Sequence, residues 1–404
     1  LDHEYMRAAR RSRYDRDVRY YLNGLRVVRE LPAPADGVMS FTAAVEDATR
    51  QVFSKVLADA PGSKRPTLVI DPVIDGLSGA RSNATQAMQS RIVELLRGAY
   101  PQFDIKSFSA EDAAASPYVV IGTFTGVNKE RKTVGERVAY RICLALLDTT
   151  SGKIASKAKV FAESSGVDIT PTAFFRDSPV WVDDPSTQAY IKTCQATKPG
   201  DPIDPKYLAS IRAASLINAA IDAYEQGDYR RSKTLFQRAA DSKEGDQLRT
   251  LSGLYLTSWK LGDERDAVEA FARLVTYGLE QRRLGVKFPF RPGSTDFLVD
   301  ASSGGQPNLW LTQIAKVTQG RGDCLEIIGH TQRTGPEMLN QRLSLRRAEY
   351  VMRRLAAEAP ELDARLIATG RGSEQNLIGS GTDDAKDALD RRISFDAIAC
   401  TPAE

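Results

Sequence analysis

Apolar residues Phe41, Val45, Ala48, Val52, Phe53, Val56 and Leu57 recur at three- and four-residue spacing and predict an amphipathic helix. Short β-rich runs follow at 67–70, 118–121 and 140–147. A second helix carrying Met88, Ile92, Leu95 and Leu96 lies between the first two runs. Asp148-Thr149-Thr150-Ser151-Gly152-Lys153 reads as a turn, and Ile154 to Phe161 as the returning strand of a hairpin. From Pro205 to Glu280 the pattern is helical throughout. Val286 to Phe290 alternates as a strand, Asn308 to Val317 forms a helix, and Cys324 to Ile328 is β-rich again.

Between these blocks, Leu31 to Val38 (LPAPADGV) is a linker by composition. Residues 166–206 are rich in proline, aspartate and threonine and predict an ordered but irregular connection, with Cys143–Cys194 as a guessed pin. A chain of 404 residues implies several cores. Its formal charge of +3 is too small to argue for nucleic acid or an anionic membrane. No apolar run is long enough for a transmembrane helix. Four scattered cysteines without a CxxC pair speak against zinc, while their even number permits two disulfides in an oxidising compartment. Two histidines, His3 and His330, leave little for histidine chemistry, and no cofactor or metal site is expected.

Several segments resemble known families. "RAARRSRYDRDVRYYLNGLRVVRELP" looks like the closing segment of formylglycine-generating (sulfatase-modifying-factor) domains, carried by Gly24-Leu25-Arg26-Val27-Val28-Arg29. The chain begins at Leu1 without methionine, so residues 1–38 are expected to be a remnant of such an upstream domain plus the linker. "TLVIDPVID", "SPYVVIGTFTG" and "YRICLALLDTTSGKIASKAKV" resemble the periplasmic α/β domain of CsgG and LpoB, over 39–165. Tyr224-x-x-Gly227-Asp228 and Phe236 recur 35 residues later as Trp259-x-x-Gly262-Asp263 and Phe271, close to the tetratricopeptide period. Two such units at 205–283 should lean on a neighbouring domain.

The most distinctive string is "GHTQRTGPEMLNQRLSLRRAEYVMRRL". It resembles the OmpA-like pattern G-H-T-D-x-x-G followed by N-x-x-L-S-x-x-R-A-x-x-V. The matching residues are Gly329, His330, Thr331, Gly335, Asn340, Leu343, Ser344, Arg347, Ala348 and Val351. Gly370-Arg371-Gly372 fits the family's G-x-G, and Asp390-Arg391-Arg392-Ile393 its N-R-R-V. The resemblance implies a two-layer α/β domain over 284–400 that grips the diaminopimelate of a peptidoglycan stem. Arg347 would take a ligand carboxylate, which suits the planar guanidinium fork. Arg347 is expected to lie off the face of its helix that Leu343, Ala348, Val351 and Leu355 bury. Thr331, Gly335, Asn340 and Arg391 complete the implied site. Gln332 stands where the family's loop aspartate takes the ligand ammonium. Charged hydrogen bonds are worth about 1.5–3 kcal/mol and neutral ones roughly 0.5–1.5 kcal/mol, so affinity should fall or be redirected. His330 is a structural loop residue in this family.

The same resemblance makes the strand after Cys324 and the strand before Cys400 antiparallel neighbours, implying a Cys324–Cys400 disulfide; two buried free thiols are the alternative. The chain is thus expected to be an α+β multidomain protein: a CsgG/LpoB-like α/β domain (39–165), an irregular connection (166–204), a TPR-like helical pair (205–283) and an OmpA-like domain (284–400). Its expected role is that of a non-catalytic periplasmic adaptor binding peptidoglycan and docking envelope proteins through its first two domains, with outer-membrane association left open. The alternatives are the wall-targeting tail of an upstream enzyme, or a docking module that has lost peptidoglycan.

Overall fold

A computed structural model describes residues 37–56, 65–291, 293–297, 306–382 and 384–400. Residues 1–36, where the formylglycine-generating likeness falls, lie outside the described residues, as does Leu57.

The first half is built on a seven-stranded sheet in the order β1-β7-β6-β5-β2-β4, with β3 also pairing with β5. The strands are β1 (Val38–Met39), β2 (Thr67–Ile70), β3 (Ile74–Asp75), β4 (Asp104–Ile105), β5 (Tyr118–Val127), β6 (Ala139–Asp148) and β7 (Lys153–Glu163). Helices α1 (Phe41–Val56), α2 (Asn83–Ala99) and the short α3 (Ala110–Ala115) are interspersed. Successive side chains of a strand point to opposite faces, and here both faces are covered. Leu68, Ile70, Val120, Ile142, Leu144 and Leu146 pack with Val45, Phe53, Met88 and Ile92 of α1 and α2. Val69, Val119, Ile121, Ala145 and Leu147 pack on the other side with Tyr190, Ile191, Tyr207 and Ile211. Burial on both faces explains why these strands read as continuous apolar runs. The predicted hairpin turn is present: Asp148 pairs with Lys153, and the Asp148 carboxylate accepts the Thr150 and Ser151 amides.

Residues 166–204 depart from the irregular connection that was expected. They form α4 (Ala173–Asp177), β8 (Val180–Val182) and α5 (Pro185–Gln195). Asp184 caps α5 by accepting the Thr187 amide at 2.8 Å, with Pro185 in its first turn. The proline and aspartate that read as loop are thus the helix's own start signals. The α5 face on the sheet includes Thr187, Thr193 and Cys194, which weakens its apolar stripe. Cys143 and Cys194 form a disulfide, Cα atoms 6.2 Å apart, tying α5 to β6.

Four helices follow: α6 (Pro205–Glu225), α7 (Tyr229–Ala240), α8 (Leu248–Leu261) and α9 (Glu264–Glu280). Gly262 ends α8 in the left-handed region at φ 77°, as a residue without Cβ can. Gly253 makes room for the Phe236 ring, which an added Cβ would approach to 2.3 Å.

A second sheet has the order β11-β10-β12-β9-β8, with β9 (Leu284–Val286), β10 (Cys324–Gly329), β11 (Leu366–Gly370) and β12 (Ile393–Ile398). Strand β8 therefore leaves the connection to become the edge of the carboxy-terminal sheet. Helices α10 (Gln306–Gln319) and α11 (Glu337–Glu358) cover this sheet. The strand expected at Val286 to Phe290 instead starts two residues earlier, at Leu284, and ends at Val286. Pro289 has no N–H to donate, and Phe288 instead packs among Phe297, Trp310 and Phe395. One continuous core joins Phe236, Tyr255 and Phe271 of the helical array to Trp310, Val351 and Phe395. β10 and β12 are antiparallel, Cys324 opposite Ile398, and Cys324–Cys400 is a disulfide with Cα atoms 4.9 Å apart.

Candidate peptidoglycan-binding site

Much of the fixed spacing in the carboxy-terminal motif is a packing requirement. Helix α11 lies so close on β10 and β11 that a Cβ on Gly329 would meet the Ser344 carbonyl oxygen at 1.9 Å. One on Gly370 would meet the Gln341 carbonyl oxygen at 2.7 Å. Ser344 fastens the contact, its hydroxyl accepting the Gly372 amide at 2.9 Å. Gly335 has φ 77° with open space around it, so backbone conformation and not crowding calls for glycine there.

Thr331 is buried and ties the site loop down through its backbone. Its amide donates to the Gly372 carbonyl at 2.9 Å, and its carbonyl accepts from Asn376 Nδ2 at 2.7 Å. Asn340 is buried on the first turn of α11. His330 is buried too; desolvation, with Arg392, Arg283 and Arg371 nearby, drives its pKa down to about 2. The imidazole is neutral at any physiological pH and unsuited to proton transfer.

The chemistry is concentrated in three side chains. Gln332 Nε2 donates to Thr334 Oγ1 at 3.0 Å, and its Oε1 accepts from Arg391 Nη1 at 3.5 Å. Arg391 Nη2 also donates to the Asp384 carbonyl at 2.9 Å. Arg347 does not lie off the buried face of α11. It is 3% exposed. Its position on the helix is flanking, and the segment after β9 folds over it. Arg347 Nε donates to the Ser294 carbonyl at 3.0 Å, Nη2 to the Arg291 carbonyl at 3.2 Å, and the guanidinium carbon sits 4.6 Å from the Phe290 ring centroid. Phe290, Arg291 and Ser294 contact Arg347, and the motif did not reveal them; the Phe288-x-Phe290 alternation is their visible trace in the sequence.

Two buried acids organise the loop beside Arg391. Asp390 accepts the amides of Leu377, Ile378 and Gly379 at 2.6, 2.9 and 2.7 Å. Asp387 accepts those of Ser380 and Thr382 at 3.0 and 2.9 Å. Asp390 holds the place of the asparagine in N-R-R-V, and three amides converging on it suit a carboxylate. The first sheet reaches this loop as well, with Arg137 Nη2 3.5 Å from the Asn376 carbonyl.

Compared with known proteins, the OmpA family model matches residues 290–389. No curated protein matches the chain. Among solved structures the chain is similar to the peptidoglycan-associated lipoprotein from Burkholderia pseudomallei, at 25% identity over 29% of this chain and 89% of that one, TM-score 0.24. It is also similar to the cell wall anchor of the T6SS from Pseudomonas aeruginosa, at 20% identity over 29% and 81%, TM-score 0.24. The LpoB C-terminal domain from Salmonella enterica matches at 14% identity over 31% and 100%, TM-score 0.22. Residues 290–389 therefore form an OmpA family domain.

Proposed function

We propose that this chain is a non-catalytic adaptor of the bacterial cell envelope whose carboxy-terminal domain binds the diaminopimelate of peptidoglycan stems. The observation that carries this is Arg347, at the family's binding position and furnished with a stacking partner in Phe290. Among the described residues its guanidinium donates to the carbonyls of Ser294 and Arg291. A charge-assisted hydrogen bond to a ligand carboxylate is roughly twice as strong as one to a neutral carbonyl. Gln332, Thr331, Gly335, Asn340 and Arg391 complete the site. The β-sheet unit at 39–165 and the TPR-like helical pair at 205–283 dock envelope proteins, and the disulfides fit a periplasmic address.

A second reading, a docking module that no longer binds the wall, is favoured by one contact: the Gln332 amide oxygen faces Arg391 instead of a ligand ammonium. Co-sedimentation of the intact chain with purified peptidoglycan separates the two readings. Wall binding pellets the protein, and the docking reading leaves it in the supernatant.

A further inference from the structure

An open groove of about 340 Å³ runs beside the candidate site, lined by the turn after α4 and by residues of the carboxy-terminal sheet region. Phe290 and Arg391 belong to it, and these residues touch Arg347 and Gln332 respectively. The opposite wall is Arg176 to Pro179, the turn between α4 and β8, with Lys287 at the exit of β9. Three of the lining side chains are cationic: Arg176, Lys287 and Arg391. The one carboxylate, Asp177, is already engaged by the Tyr224 hydroxyl at 2.8 Å, Arg176 at 3.3 Å and Lys260 at 3.4 Å. Lys287 Nζ donates to the carbonyls of Phe175 and Arg176 at 2.9 and 3.1 Å. Among the described residues no carboxylate lies within ion-pair distance of it. An ammonium has three donors, so one remains for a ligand.

We propose that this groove takes a second carboxylate of the same stem peptide, the α-carboxylate of its D-glutamyl residue, on Lys287. This assignment rests on the wall-binding reading and adds a subsite built from Lys287 at the exit of β9 and the Arg176–Pro179 turn, all outside residues 290–389. Burial lowers the Lys287 pKa to about 8. The ammonium is thus mostly charged at neutral pH, and its grip on an anion fades above that value.

The test is calorimetric titration of the intact, oxidised chain with synthetic L-Ala-γ-D-Glu-meso-diaminopimelate, with the glutamyl α-carboxyl free or amidated. Wild type should bind the free acid about tenfold or more tighter, the order expected of one charge-assisted hydrogen bond. Lys287→Gln should bind both stems as wild type binds the amide. The wild-type preference should also shrink as pH rises past about 8, a readout independent of any variant. Equal affinity of wild type for the two stems, or a preference that survives Lys287→Gln, overturns the subsite while leaving wall binding intact. Failure of wild type to bind either stem instead sinks the wall-binding reading, and the subsite with it.

Discussion

Arg391 Nη1 lies 3.5 Å from Gln332 Oε1, so the amide oxygen that could receive a ligand ammonium already faces a guanidinium. Gln332→Asp would place a carboxylate at this point, shared between Arg391 and the ligand. The variant should bind diaminopimelate stems several-fold tighter at low salt, with the gain shrinking toward about 1 M salt as screening grows. A titration series in salt checks this. An unchanged or weaker affinity would mean that the loop serves another purpose.

The disulfides predict a stability difference. Cys324 and Cys400 are 76 residues apart in sequence, and Cys143 and Cys194 are 51 apart. Chain-entropy estimates give about 4 kcal/mol for closures of this size, a model-dependent figure. Reduction should lower the denaturation midpoint markedly, and Cys400→Ser should reproduce part of the loss. Non-reduced peptide mass spectrometry of exported protein should find both cross-links. Free thiols at these positions would contradict the pairing.

A pH effect follows from Asp71, buried where β2 meets α6. Its carboxylate accepts the Tyr207 hydroxyl at 2.8 Å, yet desolvation outweighs Arg249 and this bond and raises its pKa from 3.8 to about 6. The folded state therefore holds this proton more tightly than the unfolded chain. The stabilisation is fully present below about pH 4 and is lost as pH rises through about 6, roughly 3 kcal/mol in all. Asp390, also raised to about 6, slopes the same way. Asp71→Asn keeps an acceptor for Tyr207. It should flatten the stability profile between pH 4 and 6 and raise stability at pH 7. A profile as steep as wild type would show that Asp71 does not titrate in this range.

What the sequence displayed, and what it hid, follows from where each signal is written. The hairpin at Asp148–Lys153 was legible because turn chemistry and strand period are local. The β10 and β12 pairing and Cys324–Cys400 came with the OmpA-like resemblance, and Cys143–Cys194 was a guess that the structure contains. The OmpA-like motif was legible for a different reason. Gly329, Ser344 and Gly370 are fixed by the close approach of α11 to the sheet, so their spacing survives as text. β8 was hidden because three residues between prolines carry no periodicity, and α5 because threonine and cysteine occupy its buried face. The orientation of Arg347 was hidden because a helical wheel describes one helix and knows nothing of the segment that folds over it. The tertiary contacts with Phe290, Arg291 and Ser294 hold it there.

Whether Arg347 holds the chain to the cell wall is decided by sedimentation with purified peptidoglycan. Wild type, Arg347→Ala and Arg347→Lys should be compared, each first shown by circular dichroism to be folded. Removing the side chain also frees the Arg291 and Ser294 carbonyls, so a stability loss of about 1–3 kcal/mol is expected without unfolding. Wild type should pellet with the wall, Arg347→Ala should remain in the supernatant, and Arg347→Lys should bind weakly, since an ammonium keeps the charge and loses the fork. Folded Arg347→Ala pelleting as completely as wild type would contradict the account.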